Sequence, residues 1–321
     1  LAVYDFLAGR RESHWLDAEG FAMLAPNIAQ AGLQGGIRYM DAKTDDARLV
    51  LRVLEEARAH GAETLNYVAV ESLLRTDGRV GGARLRDARS GGSVDVMARV
   101  VVNATGAWAG GLAGQGTSPR LRPLRGSHLV IPGWRLPLAQ AVSLMHPIDG
   151  RPVFAFPWEG VTLVGTTDVD HAESLHGEAR VTRAEFDYLM TALRAQFPQL
   201  DLSGADVVAT YAGVRPVLDS GRHGAPSKAT REHLVWDEPG LVGVTGGKLT
   251  TFRAIALDTL AHVARQVPHW RAGLQPQPVF AVHDVEPACH VDRRPAQRVA
   301  IGKLVENHVT EEDHPDHLQV R

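Results

Sequence analysis

The chain has 321 residues, of which 44% are hydrophobic and 22% charged, a composition typical of a globular protein with one large or two moderate domains. Its net charge of -3, from 34 basic and 37 acidic side chains, offers no basic surface for a phosphate backbone, so no nucleic-acid partner is predicted. The single cysteine, Cys289, excludes an internal disulfide and a thiolate zinc cluster.

The first third of the chain predicts one helix followed by a strand meander. The helix starts at Asp46, ends before Gly61, and has apolar positions that predict a largely buried element. Strands are predicted over 64–74, 80–87 and 93–103, since turn residues separate them. The last of these is apolar over 98–102 apart from Arg99 and leads into a small-residue turn at 103–106, which predicts a buried strand that ends at a ligand site.

The middle of the chain predicts a sheet with one helix beside it. Apolar strands bounded by Pro and Gly are predicted over 128–132, 153–158 and 161–167. Thr182 and Glu185 have the spacing of a capping box, and this helix is expected to end at Phe197 because Pro198 follows.

The next segment predicts strand character over 206–213 and 234–245, and then a glycine turn at Gly246 and Gly247 that opens a helix over 252–267. Free backbone N–H groups at such a helix start favour an anionic ligand. The turn is not an ATP-binding P-loop, because the first glycine of that motif would fall at position 242, which is Val242.

Three side chains are candidates for substrate chemistry. Arg215 and Arg231 could clamp a phosphate or carboxylate, and His128 could take a proton. Taken singly, structural roles are favoured, because arginines at loop edges mostly form weak surface ion pairs and histidines on apolar strands mostly belong to the core. Beyond Pro268 the chain predicts a weakly ordered tail, and its scattered histidines lack the helical spacing with a carboxylate that a metal site needs.

Seven motifs occur in a fixed order along the chain: DDARLV (45–50), VVNATGAW (101–108), GSHLV (126–130), FPW (156–158), GTTD (165–168), GVRP (213–216) and GGKLTTFR (246–253). Together they resemble the FAD-dependent glycerol-3-phosphate dehydrogenase family of the aerobic, quinone-linked type. The resemblance covers residues 1–274.

The resemblance implies an α/β fold with α+β character. In that fold an FAD/NAD(P)-binding type flavin domain, incomplete here, is interleaved with an antiparallel-sheet substrate domain. Residues 1–117 would form part of the flavin domain, 118–233 the substrate domain, and 234–274 the return to the flavin domain with the Gly-Gly-Lys helix. Residues 275–321 would be the weakly ordered tail.

The same resemblance implies that the intact enzyme oxidises sn-glycerol 3-phosphate to dihydroxyacetone phosphate, with hydride passing to flavin N5 and electrons to quinone. His128, Arg215 and Lys248 would be catalytic, and His128, Arg215 and Arg231 would bind substrate. His128 is preferred as the base because a guanidinium is practically always protonated. The implied cofactor-binding residues are Ala104, Thr105, Gly106, Trp108, Gly246, Gly247, Lys248, Leu249 and Thr250.

The chain departs from the family pattern at both ends. The Gly-x-Gly-x-x-Gly turn for the FAD pyrophosphate is not found, and the glycines at 32–36 precede Ile37 rather than a helix. Because this turn usually lies at the start of such a chain, about a hundred N-terminal residues are expected to be missing. The family's C-terminal helical domain is expected to be missing too. The chain as written is therefore expected to bind FAD weakly or not at all, and to be inactive alone.

Two alternatives stay open. A related amine or amino-acid oxidase, such as a glycine or sarcosine oxidase, would hold a carboxylate instead of a phosphate. A non-catalytic remnant would fold without flavin. The expected partners are glycerol 3-phosphate and a quinone, the expected location is cytoplasmic, and a homodimer and peripheral contact with the inner face of the cytoplasmic membrane are left open.

Overall fold

The computed structural model describes residues 13–41, 43–112, 119–219 and 232–268, together with Phe6, Gly9 and Trp270. Arg231 and the predicted tail lie outside the described residues. Helices and strands are mixed in the described part, which confirms the α/β class with α+β character. No helix in that part is long and apolar enough to cross a membrane.

The N-terminal elements are β1 (His14–Asp17), α1 (Ala18–Leu24), β2 (Gly35–Arg38) and α2 (Asp46–Ala59). The first three were not predicted, and β1 pairs antiparallel with β2. The prediction of α2 is confirmed in position, but the expectation that it is largely buried is wrong. Its apolar residues Val50, Leu51 and Leu54 are 44%, 54% and 41% exposed, because no described element covers that side.

A three-stranded antiparallel sheet follows, with β3 (Val68–Thr76), β4 (Arg79–Asp87) and β5 (Ser93–Met97), as the meander predicts. Asp77 and Gly78 form its first turn with φ of 49° and 78°. The predicted last strand is wrong in extent, because the chain leaves the sheet after Met97. Residues Val101–Asn103 form a separate strand, β6, that pairs with a later strand instead, and Val102 is 44% exposed.

The middle of the chain forms a six-stranded antiparallel sheet. Its strands are β7 (Leu121–Pro132), β8 (Val142–Met145), β9 (Pro152–Trp158), β10 (Val161–Gly165), β11 (Val169–Asp170) and β12 (Ala209–Leu218). The order is β11-β7-β10-β9-β8, and β12 also pairs with β7. The predicted sheet of β7, β9 and β10 is confirmed, whereas β8 and β11 were missed.

A four-residue helix, α3 (Ala109–Leu112), precedes the sheet in the chain. One face of the sheet is covered by the longer helix α4 (Arg183–Gln196). The predicted capping box of Thr182 and Glu185 is present, and the helix ends one residue before the predicted Phe197. Leu189 and Leu193 are fully buried in the same core as Leu129 of β7. Phe21 also belongs to this core, although the sequence groups it with the flavin part. The domain boundaries stay a prediction.

The chain then returns in β13 (His233–Glu238) and β14 (Leu241–Gly246). The single run predicted over 234–245 is wrong in detail, since a turn at Gly240, with φ of 76°, folds it into an antiparallel hairpin. β14 pairs parallel with β6. The predicted glycine turn and helix are confirmed as a 3-10 turn at Leu249–Thr251 followed by α5 (Phe252–Gln266).

Candidate active site

Two glycine turns lie side by side where the parallel strands β6 and β14 end. Gly106 follows β6 with φ of 61°, and Gly246 and Gly247 have φ of 79° and 75°. The Thr245 hydroxyl donates to the Gly106 carbonyl at 3.1 Å, which ties the turns together. The side chain of Asn103 holds the first turn, because its amide donates to the Ala109 carbonyl at 2.8 Å.

These turns fit the ring end of a flavin. Among the described residues, a Cβ atom at Gly106 would meet only the Pro216 ring, at 4.0 Å, so these residues leave room for a flat group to approach the backbone there. Gly246 and Gly247 adopt positive φ just before a helix, where backbone N–H groups favour negative charge. The described residues show no equivalent turn for the pyrophosphate.

The other predicted cofactor residues surround these turns. Ala104, Thr105, Lys248 and Thr250 are exposed, and Leu249 is half-buried. Trp108 is 54% exposed, and its indole N–H donates to the Leu175 carbonyl at 3.0 Å, which holds the segment after β11 against this turn. The structure therefore brings the predicted residues of both turns to one edge. Their contact with a cofactor stays a prediction.

The six-stranded sheet has two different faces. The face packed against α4 is called here the covered face. The opposite one, called here the open face, carries Gly126, His128, Gly165, Tyr211 and Arg215. His128 of β7 is directly opposite Gly165 of β10 and Tyr211 of β12, and side chains at directly paired positions lie on the same face.

The His128 imidazole lies over Gly165, where a Cβ atom would overlap the ring. The Tyr211 ring stacks on it, with centroids 4.6 Å apart and planes inclined by 6°. Its Nδ1 is buried and has no hydrogen-bond partner among the described residues. Burial, helped by the nearby Arg215 charge, lowers the pKa of His128 from 6.5 to about 4. The imidazole is therefore neutral near pH 7.

Arg215 is the second predicted residue on the open face. Its guanidinium lies over Gly126, where a Cβ atom would overlap it. Arg215 Nη1 donates to Asp168 Oδ1 at 2.7 Å and Nη2 donates to the Thr166 hydroxyl at 2.8 Å. The next residue, Pro216, is the one that faces Gly106. Arg215 thus lies between His128 and the glycine turns, so the structure joins the predicted substrate and cofactor residues.

The covered face holds a buried ion pair. Glu185 accepts hydrogen bonds from Arg125 Nε at 3.0 Å, from the Ser127 hydroxyl at 2.8 Å and from the Thr167 hydroxyl at 2.8 Å. The Thr182 hydroxyl donates at 2.7 Å. Burial opposes ionisation, yet these donors lower the pKa of Glu185 to about 2.

Sequence reasoning missed three residues that hold the predicted ones. Asp168 and Thr166 hold Arg215, and Tyr211 covers His128. The GTTD motif is visible in the sequence, but only the sheet register shows that it lies across β7 from β12, within reach of Arg215. Tyr211 had a signal of its own, since it lies an even number of residues before Arg215 on one strand and so shares its face. Arg231 cannot be placed, because it lies outside the described residues.

Comparison with known proteins now identifies the class. The family model for FAD-dependent oxidoreductases, DAO, matches residues 2–257, so the chain belongs to this family of flavin enzymes, whose cofactor is FAD. It is similar to the aerobic glycerol-3-phosphate dehydrogenase of Bacillus subtilis, with 38% identity over 264 residues that cover 80% of this chain and 47% of the relative.

Solved structures agree. A glycerol-3-phosphate dehydrogenase from Bacillus halodurans complexed with FAD matches with a TM-score of 0.71 and 33% identity, over 80% of this chain and 52% of the other. A glycine oxidase from Geobacillus kaustophilus, at 20% identity and a TM-score of 0.55 over 88% of this chain and 70% of the other, shares the fold. The chain spans about half the length of the curated relatives it matches.

Proposed function

We propose that this chain provides the substrate-binding face and the flavin-facing turns of an enzyme that oxidises sn-glycerol 3-phosphate to dihydroxyacetone phosphate. One observation carries the proposal: His128 and Arg215 share the open face, next to the turns of Gly106 and Gly246. Similarity to glycerol-3-phosphate dehydrogenases of known name supports the choice of substrate.

Arg215 is the residue that binds the phosphate in this proposal. A guanidinium remains charged and presents its N–H donors in a plane that matches phosphate oxygens. Asp168 and Thr166 fix this plane on the sheet, so little side-chain freedom is lost when an anion binds. Arg231 is proposed as a second phosphate ligand on the family resemblance alone.

His128 is the residue that takes the proton of the C2 hydroxyl. The neutral imidazole has one nitrogen that can accept a proton, whereas the charged Arg215 has none. A bound phosphate would offset the Arg215 charge, which is one of the two causes that lower the pKa of His128. Substrate binding is therefore expected to make His128 a stronger base.

FAD, when bound, would accept the hydride from C2. The glycine turns would approach its ring, and the backbone N–H groups at the start of the helical segment that follows, with the exposed Lys248, would favour the negative charge of the reduced form. Ala104, Thr105, Trp108, Leu249 and Thr250 are proposed contacts of the same group. Quinone as acceptor, a cytoplasmic location, peripheral membrane contact and a homodimer are kept as predictions.

The first test is the visible flavin spectrum of the purified chain with excess FAD, followed by anaerobic glycerol 3-phosphate. Where FAD binds, we expect bleaching with glycerol 3-phosphate and none with glycerol, because only the phosphate pairs with Arg215. Glycine and sarcosine serve as carboxylate competitors, and bleaching by either in place of glycerol 3-phosphate would favour the amine-oxidase alternative.

Failure to bind FAD would agree with the expectation that the chain as written binds it weakly. The same titration on a chain extended upstream then separates two cases. Recovery of binding and bleaching supports the dehydrogenase. If the extended chain folds cooperatively but binds neither FAD nor substrate, the non-catalytic remnant is supported instead.

A further inference from the structure

The open face contains a feature that the proposed reaction does not yet use. Tyr211 and Gly165 flank His128 on the two neighbouring strands, β12 and β10. One contributes an aromatic ring stacked on the imidazole, and the other has no side chain where the imidazole lies. We propose that Tyr211 and Gly165 are positioning residues that fix the plane of the His128 imidazole and keep it uncharged. This proposal rests on the proposed function of His128.

The geometry restricts the imidazole from both sides. A side chain at Gly165 would occupy the volume of the ring, so only glycine lets His128 lie flat toward β10. The Tyr211 ring, inclined by only 6°, prevents rotation back toward β12. Since the Nδ1 atom has no hydrogen-bond partner among the described residues, packing rather than hydrogen bonding sets the orientation.

Charged groups near His128 and Tyr211 change the pKa values of the two side chains in opposite directions. Arg215 disfavours a second positive charge on His128. Tyr211 lies near Asp46 at the start of α2, and burial together with that carboxylate raises the pKa of its hydroxyl, so Tyr211 stays protonated. The shielding effect of Tyr211 therefore comes from its ring, and removal of the hydroxyl alone leaves it in place.

The described chain offers a matched control. His146 is also stacked on a tyrosine, Tyr188, with centroids 3.6 Å apart and planes inclined by 3°. Its Nε2 is 3.0 Å from the Tyr188 carbonyl, and its Nδ1 accepts from the Ile148 N–H at 3.2 Å, so hydrogen bonds orient this ring. Loss of the stacking partner is expected to matter less at His146 than at His128.

The experiment is an NMR titration of the labelled histidines in the full chain, with the His128 signal assigned by His128→Asn. In the unchanged protein we expect His128 to remain neutral between about pH 5 and 8. Tyr211→Leu is expected to raise its titration midpoint by more than about one pH unit, into this window, because water then reaches the ring. Tyr211→Phe is expected to leave the midpoint unchanged, and Tyr188→Leu is expected to leave His128 unaffected.

Two results would overturn the proposal. One is a Tyr211→Leu protein that is folded by circular dichroism and has an unchanged His128 midpoint. The other is a Tyr211→Phe protein that shifts as much as Tyr211→Leu. Gly165→Ala provides a second variant, which is expected to displace the ring and move the His128 chemical shifts while those of His146 stay constant.

Flavin reduction by glycerol 3-phosphate is a separate readout. Tyr211→Leu should lower its rate constant and shift its pH profile with little change in substrate affinity, and Tyr211→Phe should restore both. If the histidine titrations behave as expected but the chain extended upstream does not reduce FAD with this substrate, then the proposed function fails while the positioning role stands.

Discussion

The two faces of the six-stranded sheet differ in how their buried polar groups are hydrogen-bonded. On the covered face, Glu185 is buried and surrounded by donors from β7, from the segment between β10 and β11, and from a helix start. On the open face, the buried Nδ1 of His128 has no partner among the described residues. A satisfied buried charge holds elements together, whereas a buried polar atom without a partner is retained where a ligand or a reaction can use it. The contrast predicts that covered-face changes affect folding and that open-face changes affect binding.

The largest effect is expected at Glu185→Leu. The substitution leaves the buried Arg125 guanidinium with only the exposed Glu173 carboxylate, at 3.4 Å, among the described residues, which costs about 3–5 kcal/mol of unfolding free energy. Urea denaturation followed by circular dichroism measures it. A loss below about 1 kcal/mol would contradict the assigned role of the pair, since that is the scale of an exposed ion pair.

Arg215→Ala is expected to affect binding instead. Loss of charge-assisted hydrogen bonds to phosphate should weaken glycerol 3-phosphate binding about 10- to 100-fold, with little change in the urea midpoint. Asp168 keeps Arg151 as a partner at 3.2 Å, so no buried carboxylate is left unpaired. Calorimetric titration checks the affinity. Arg122→Ala, which breaks an ion pair with Asp170, is the matched control and should bind normally.

The two faces are expected to lose stability in different pH ranges as the solution is acidified. The folded-state pKa of Glu185, about 2, is below its ordinary 4.5, so its stabilisation is complete above pH 4.5 and is lost as the pH falls toward 2. The folded-state pKa of His128, about 4, is below its ordinary 6.5, so stability should fall between pH 6.5 and 4 as the unfolded chain takes the proton. Urea midpoints measured across pH should show that Glu185→Gln no longer loses stability between pH 4.5 and 2, and that His128→Gln no longer loses stability between pH 6.5 and 4. A change in the same pH range in both variants would refute the assignment.

The smallest effect is expected at Asp187→Ala, on the solvent side of α4. Asp187 pairs with Arg183 at 2.8 Å, but both side chains are largely exposed. The change in unfolding free energy should be below about 0.5 kcal/mol, because water screens such a pair. A measured loss near that of Glu185→Leu would show that position on the helix, rather than burial, sets the energetics.

Local signals in the sequence predicted the elements that local interactions determine. The capping box of Thr182 and Glu185 and the proline after α4 predicted that helix almost to the residue. The glycine turn before α5 was predicted for the same reason, because a glycine turn and a helix start are properties of a few adjacent residues. His128 and Arg215 were named from motifs, and the structure places them on one face.

Properties that depend on distant partners could not be predicted. The exposure of α2 was missed because amphipathic spacing shows which side is apolar and cannot show whether anything packs on it. The other functions of Glu185 were missed because Arg125 and Thr167 reach it only through the register of the sheet. The burial of Phe21 in the core of the six-stranded sheet could not be predicted for the same reason.

The parallel pairing of β6 with β14 has a consequence for how the chain folds. These strands lie far apart in the sequence, and the whole six-stranded sheet is built from the residues between them. Closing so long a loop from an unfolded chain costs conformational entropy, and contacts between such distant residues slow folding. If the intervening sheet forms first, its β12 brings Pro216 back beside Gly106, so that fewer residues remain in the loop that must close before β14 pairs with β6. We therefore expect the glycine turns to assemble last, so that the edge formed by Gly106, Gly246 and Gly247 is the final part of the molecule to become ordered.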